Sequence, residues 1–157
     1  MSSLVITNIS IYKIIAEEAH QKMRELIDAG RRQKTDGSQG WVITYDPTQG
    51  SFKQAMISIV FTGMWLEAML HLLIIQEYGE QKFKEYDFKP YEEKLKLLGC
   101  SDQQIIDRAT RFRKVRKELV HEKAHCDNGE IRTAQNEADN AKELLVLLQK
   151  QFFTING

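Results

Sequence analysis

The segment that most constrains the fold is Phe52–Tyr78, because its apolar residues would cover nearly every side of a helix. A helix that is apolar all round must be surrounded by other elements of the chain or by a partner. Its most apolar run, Ala55–Gln76, also contains Glu67 and His71, which a membrane-spanning helix would rarely carry together. We therefore expect the central helix of a soluble bundle and no interaction with a membrane.

Apolar residues recur at steps of three and four on both sides of this segment, which indicates further amphipathic helices. Glycines and capping residues mark their predicted ends. The predicted helices are Ser10–Ala29, Phe52–Tyr78, Tyr91–Leu98, a helix capped by Ser101 whose inner face runs from Ile105 to Val120, and Thr133–Phe152. Gly79 is expected to end the central helix, and Glu80–Lys89 to be irregular or one short helix.

Two short runs rich in β-branched residues interrupt the helical pattern, Leu4–Thr7 and Trp41–Tyr45. The polar, glycine-containing segment Arg31–Gly40 predicts a loop. Pairing of the two runs would give a small extended ribbon. The sequence thus predicts an all-α fold, an up-and-down helical bundle of four to five helices with this ribbon, and a single domain over residues 1–157.

The charge and cysteine content narrow the possible partners and compartments. The formal net charge is zero, so attraction to nucleic acid must come from a local concentration of basic residues. Cys100 and Cys126 stand alone without a C-x-x-C partner, which favours a reducing compartment. The N-terminus has neither a basic region nor a cleavage site of the kind that signal peptides carry. We expect a cytoplasmic protein.

Arg108–Lys117 supplies the local concentration, since six of these ten residues are basic and none is acidic. Such a surface suits phosphate, because the guanidinium is always charged and binds phosphate through two donors. The alternative is a solvated helix face. The predicted RNA contacts in the segment are Arg111, Arg113, Lys114 and Lys117.

Arg116–His121 reads R-K-E-L-V-H, of the form R-x4-H with an L-V-H ending, and it resembles the motif of HEPN domains. The resemblance implies a small helical bundle, usually dimeric, that in many members is a metal-independent ribonuclease. Such proteins often act as toxins or in phage defence, which implies a possible antitoxin partner. Members usually carry a polar residue, often Asn or Asp, where this chain has Lys117. This difference favours the alternative of a non-catalytic module that binds RNA, a nucleotide or a protein.

The catalytic residues that the resemblance implies are Arg116 and His121. RNA can be cut by its own 2′-hydroxyl, which needs a base for the proton and a cation for the charge that builds on the phosphorane. Neutral His121 suits the first role and Arg116 the second, with no metal or cofactor. On an ideal helix the two side chains would lie about 140° apart. Either the helix distorts near His121, or a second subunit completes the site.

Glu67 and His71, one turn apart, are candidate supporting residues. They are either polar support for the site or a hydrogen-bonded pair in a groove or interface. The apolar character of the central helix also predicts a homodimer, with Met64, Trp65 or Met69 at or near a two-fold interface.

Overall fold

The computed structural model describes residues 7–120 and 133–153. Over these residues the chain forms a helical bundle with a small two-stranded ribbon, which confirms the predicted all-α fold. The elements in chain order are α1 (Ile9–Ala29), β1 (Arg31–Gln33), β2 (Trp41–Ile43), α2 (Gly50–Tyr86), α3 (Tyr91–Leu97), α4 (Gln103–Val120) and α5 (Ala134–Phe153).

Helix α1 runs antiparallel to the first part of α2. At one end of the contact, a methyl group added at Gly50 would meet Leu26. Further along, the Ser58 hydroxyl donates to the Ala16 carbonyl at 3.0 Å, and the ring centroids of Tyr12 and Phe61 lie 6.3 Å apart. Helix α2 also packs against α5 and α4, as expected for the central helix. The buried serine hydroxyl therefore has a partner, as a polar group inside a core requires.

A small ribbon forms, and in it Trp41–Ile43 pairs with a strand that the sequence did not predict. β1 pairs antiparallel with β2, with Arg31 opposite Ile43 and Gln33 opposite Trp41. β1 thus begins where the sequence predicted a loop, and residues 4–6 of the expected partner lie outside the described residues. Pairing two strands that are close in sequence closes only a short loop, which costs less entropy than pairing with a distant segment. The Arg31 guanidinium lies 4.5 Å from the centre of the Trp41 ring.

Aspartates cap two of the helices. Asp46 accepts the backbone N–H of Gly50 at 2.9 Å at the start of α2, and its hydrogen bonds with Thr48 and Gly50 lower the pKa of its carboxyl group. At the start of α4 the Asp102 carboxylate accepts a hydrogen bond from the backbone N–H of Gln104 at 2.9 Å. The prediction that Ser101 caps this helix was therefore wrong by one residue; the carboxylate of the next residue takes that position.

Gly79 interrupts α2, with φ 84° and ψ 171°. This confirms that the helix is broken there, and the chain resumes a helical path through residues 80–86. His71 and Phe83 are twelve residues apart, which on a straight helix is a rise of about 18 Å. Their rings nevertheless stack with centroids 3.7 Å apart, so the chain changes direction sharply at Gly79. The Tyr78 hydroxyl donates to the Leu97 carbonyl at 2.8 Å and fastens this corner to the end of α3.

Helix α2 is long and apolar enough to cross a membrane, judged by length and composition alone, with a mean hydropathy of 1.8 in its most apolar window. Half of that window is buried inside the bundle. The core helix of a soluble protein meets the same criterion, so the expected lack of a membrane interaction stays a prediction.

Replacing Gly79 with alanine should lower the free energy of unfolding by about 1–3 kcal/mol, because this combination of φ and ψ is open essentially to glycine alone. The cost is one of backbone conformation, since no atom lies within 4 Å of the added methyl group. Urea denaturation measures it. Glu80→Ala is the matched control: Glu80 and its partner Lys84 are both more than 60% exposed, so the loss should stay within about 0.5 kcal/mol. Equal stability of the two variants would contradict the prediction.

Candidate functional site: a basic cleft between α2, α3 and α4

One face of α4 borders an open cleft of about 1110 Å³. Arg113, Arg116, Lys117 and Val120 follow one another at steps of three, one and three, which places them on one side of the helix. The opposite walls come from α1, both segments of α2, the connection from α2 to α3, and α3. Their lining residues are Tyr12, Met64, Glu67, Ala68, His71, Phe83, Asp87, Phe88, Lys89, Pro90, Tyr91 and Lys94.

Arg116 is held in place from two helices. Its Nη1 donates to Oε1 of Glu67 on α2 at 3.0 Å, and it lies 3.4 Å from the Tyr91 hydroxyl on α3. The Tyr91 hydroxyl in turn donates to the same Glu67 oxygen at 2.9 Å. Burial, followed by the negative charge of Glu67, raises the pKa of Tyr91 well above its usual value. Tyr91 therefore stays a neutral hydrogen-bond donor, and the guanidinium has one fixed position.

The Arg116 side chain crosses α2 at Gly63, where only a residue without a side chain leaves room. A methyl group at Gly63 would stand 2.3 Å from Nε and 2.6 Å from Cδ of Arg116. Nε is buried, and within the described residues it is the one buried side-chain nitrogen or oxygen that lacks a hydrogen-bond partner. The close approach thus carries a guanidinium into the cleft at the cost of one unsatisfied donor.

Five cationic side chains line the cleft against two carboxylates, and two further carboxylates beside it, Glu92 and Glu93, pair with Arg113 and Lys89, so a small excess of positive charge remains. Arg113 is bidentate to Glu92, at 2.8 and 3.3 Å. Burial tends to raise the pKa of Glu92, but the hydrogen bonds to its carboxylate and the positive charges of Arg113 and Lys114 together outweigh burial and lower that pKa. Burial also lowers the pKa of Lys94, which donates to the backbone carbonyl of Asp87 at 2.8 Å. For Lys117 no ion pair with another described residue is found.

Aromatic rings cluster beside these cations. His71 and Phe83 stack almost parallel, with an interplanar angle of 6°. Phe88 lies in the connection from α2 to α3 with 98% of its surface exposed. Tyr12 and Tyr91 complete the aromatic lining. The cleft therefore combines flat apolar surfaces with charges that suit phosphate.

The four predicted RNA contacts fall on two faces of α4. Arg113 and Lys117 line the cleft beside Arg116. Arg111 points about 160° away from Arg113 around an ideal helix and pairs with the buried Glu137 of α5 at 2.6 Å. Lys114 lies with Arg111 on that other side, in a shallow depression that does not include Arg116.

The predicted supporting residues both line the cleft, in different roles. Glu67 accepts hydrogen bonds from Tyr91 and Arg116, which matches polar support for Arg116. His71 is exposed and stacks on Phe83. A hydrogen bond between Glu67 and His71 is not found.

His121 lies outside the described residues, but Val120, which precedes it in the chain, lines the cleft. The apolar residues predicted at or near a dimer interface lie in different environments. Trp65 and Met69 are buried within the single chain, so they are not available to a partner, whereas Met64 lines the cleft.

Several residues of the cleft carry little or no signal in the sequence. Gly63 offered a weak signal, because glycine inside a helix is less favourable than alanine and is retained there where a side chain would not fit. Tyr91 was recognised only as the start of a helix, and Lys94 and Phe83 not at all. No local pattern marks these three, because the tertiary fold brings them to Arg116 and His71.

Among residues 7–120 and 133–153, no group of three or more His, Cys, Asp or Glu side chains is placed to hold a metal ion. Comparison of the chain with protein-family models, with curated proteins and with solved structures gives no match in any of the three. Inference about function therefore rests on the residues of the cleft.

Gly63→Ala and Arg116→Ala should be strongly coupled. Alone, Gly63→Ala must displace the Arg116 side chain, so it should lower the free energy of unfolding by about 1–3 kcal/mol, as overpacking does. In an Arg116→Ala background the obstructing atoms are gone, and alanine favours the helix over glycine by roughly 0.5–1 kcal/mol. Urea denaturation of both single variants and the double variant gives the coupling energy. If the losses in the free energy of unfolding of the two single variants simply add in the double variant, Arg116 does not occupy this position.

Proposed function

We propose that the protein is a metal-independent endoribonuclease of HEPN type that cuts RNA by attack of its 2′-hydroxyl on the adjacent phosphate. The observation that carries the proposal is the position of Arg116, whose guanidinium is held by Glu67 and Tyr91 in a cleft with an excess of positive charge. A donor fixed before the reaction stabilises developing charge without reorganising during it.

In this proposal the charged residues of the α4 face have distinct roles. Arg116 binds the phosphate that is attacked and stabilises the charge on its oxygens. Arg113 and Lys117 neutralise that phosphate or its neighbours along the strand. His121, the residue after Val120 at the cleft wall, takes the proton from the 2′-hydroxyl as general base. DNA lacks this hydroxyl and is not a substrate. A role as a toxin or in phage defence, with an antitoxin as partner, follows from the same proposal.

A second candidate is a non-catalytic module that binds RNA, a nucleotide or a protein in the same cleft. The observation that favours it is the ion pair between Arg116 and Glu67, because a carboxylate already offsets the charge that catalysis would use. Lys117, in place of the Asn or Asp typical of active members, points in the same direction.

The decisive prediction concerns cleavage of RNA in the presence of EDTA. The parent protein should cut RNA and leave a 2′,3′-cyclic phosphate or its opened product, and it should spare DNA. His121→Ala should lower the rate by about 10²–10⁴-fold, as the loss of a general base does. Arg116→Ala should lower it by about 10²–10³-fold, as the loss of a preorganised donor does. Gel analysis of end-labelled RNA measures both.

Lys114→Ala is the matched control, because it removes the same charge from the same helix outside the cleft. Lys114→Ala should leave the cleavage rate within a few-fold of that of the parent protein, whereas Lys117→Ala should weaken RNA binding. Cleavage that persists in the His121 and Arg116 variants, or that stops with EDTA, would contradict the assignment. An inactive parent that still binds RNA would favour the non-catalytic module.

We also propose that the protein is a homodimer, so that a second subunit completes each site. Ile11 and Ile14, three residues apart on α1 and 54% and 47% exposed, support an apolar contact surface. Replacing both with glutamate should convert a dimer to a monomer in sedimentation velocity at tens of micromolar, roughly the range that interface affinities span. Ile43→Glu in the ribbon, 79% exposed, is the control and should leave the dimer intact. A monomeric parent would contradict this proposal.

A further inference from the structure

The aromatic side chains of the cleft have no role in the cleavage reaction proposed above. His71, Phe83 and Phe88 carry no charge that the reaction needs, yet they stand in the same cleft as Arg113 and Arg116. An exposed aromatic ring by itself is ordinary on a protein surface. Several rings gathered beside cations form a less common arrangement, and it suits a ligand that has both flat faces and negative charges.

The backbone at Gly79 brings two of these rings together. The sharp change of direction there places Phe83 over His71 with centroids 3.7 Å apart, although a straight helix would separate the two residues by about 18 Å. Only glycine readily adopts φ 84° with ψ 171°. One face of each ring is used in the stack, and His71 remains exposed to the cleft. We call the His71–Phe83 stack the aromatic platform.

We propose that the cleft binds single-stranded RNA by stacking unpaired bases on the aromatic platform and on Phe88, while Arg113, Arg116 and Lys117 hold the phosphates. This inference rests on the proposed RNA function and adds a substrate class and three binding residues to it. Every base has an aromatic face, so stacking of this kind tolerates many sequences. Bases in a duplex are already stacked within it, and the platform therefore discriminates against double-stranded RNA.

Charge alone would not favour this ligand over another polyanion. An acidic peptide would satisfy the cations but would leave the exposed Phe88 ring without a partner. A single strand uses both halves of the cleft, because its phosphates and bases alternate along one chain. The two halves should also respond differently to salt, since stacking releases no counterions and each neutralised phosphate does.

The test is fluorescence anisotropy with a labelled single strand of 2′-O-methyl RNA, which cannot be cut by the proposed reaction. The parent should bind this strand more tightly than the corresponding duplex and more tightly than polyglutamate. Phe88→Ala and His71→Ala should each raise Kd by about 5- to 100-fold, the range that loss of one stacked base gives. The slope of log Kd against log salt should not change in either. Lys117→Ala should instead make that slope shallower by about 0.7.

Tyr45→Ala is the matched control, because Tyr45 is an aromatic residue, 78% exposed, that does not line the cleft. Phe88→Trp keeps a flat ring and should keep tight binding. Phe88 is too exposed for its loss to unfold the protein, so its variant remains informative even if His71→Ala is less stable. Equal binding of strand and duplex, tighter binding of polyglutamate, or a Kd of Phe88→Ala equal to that of Tyr45→Ala would each overturn the inference.

The outcome is separate from that of the cleavage assay. If RNA is not cut but the aromatic variants lose binding, the single-strand platform stands and the ribonuclease proposal falls. If RNA is cut but Phe88→Ala, His71→Ala and Tyr45→Ala bind alike, the platform falls and the ribonuclease proposal stands.

Discussion

The cleft depends on one arginine that joins three helices. Arg116 leaves α4, crosses α2 where Gly63 has no side chain, and ends between Glu67 of α2 and Tyr91 of α3. A charged group that is partly withdrawn from water is stabilised by such partners, because burial of an unpaired charge is unfavourable. The arrangement fixes the distance between α2 and α4, and it sets the charge at the centre of the cleft. Any ligand that takes a hydrogen bond from Arg116 competes with a carboxylate that is already in place.

The second constraint is the corner at Gly79. Without it α2 would continue away from the bundle, and residues 80–86 would not face His71. Two hydrogen bonds hold this region against α3. The Tyr78 hydroxyl donates to the Leu97 carbonyl beside the corner, and the Lys94 ammonium donates to the Asp87 carbonyl in the connection that follows. Arg116 thus supplies the charged wall of the cleft and Gly79 the aromatic one. Each wall also depends on a glycine: Gly63 leaves room for the Arg116 side chain, and Gly79 adopts the backbone conformation of the corner.

The helices could be predicted from sequence because the step of three and four between apolar residues is a local signal. The strand β1 could not be predicted, since Arg31–Gln33 is polar and its strand conformation comes from the partner at Trp41–Ile43 rather than from its own composition. In the site, the sequence indicated Arg116, Arg113 and Lys117, which a single helix face presents together. It could not indicate Tyr91, because the hydrogen bonds of that residue join segments that only the tertiary fold brings together.

The basic segment also shows why a count of charges along a sequence overestimates a binding surface. Arg111 and Arg113 are neighbours in the chain, but a helix turns each residue by 100°, so they point to nearly opposite sides of α4. Arg111 neutralises the buried Glu137 and helps to hold α5 against α4. Arg113 also has a carboxylate partner, Glu92, yet it stays at the cleft wall. Other cations of the described residues likewise have a carboxylate partner nearby, among them Arg31, Lys89 and Arg108. The positive character of the cleft therefore arises from residues such as Lys117, for which the described chain provides no ion pair, rather than from the density of basic residues in the segment.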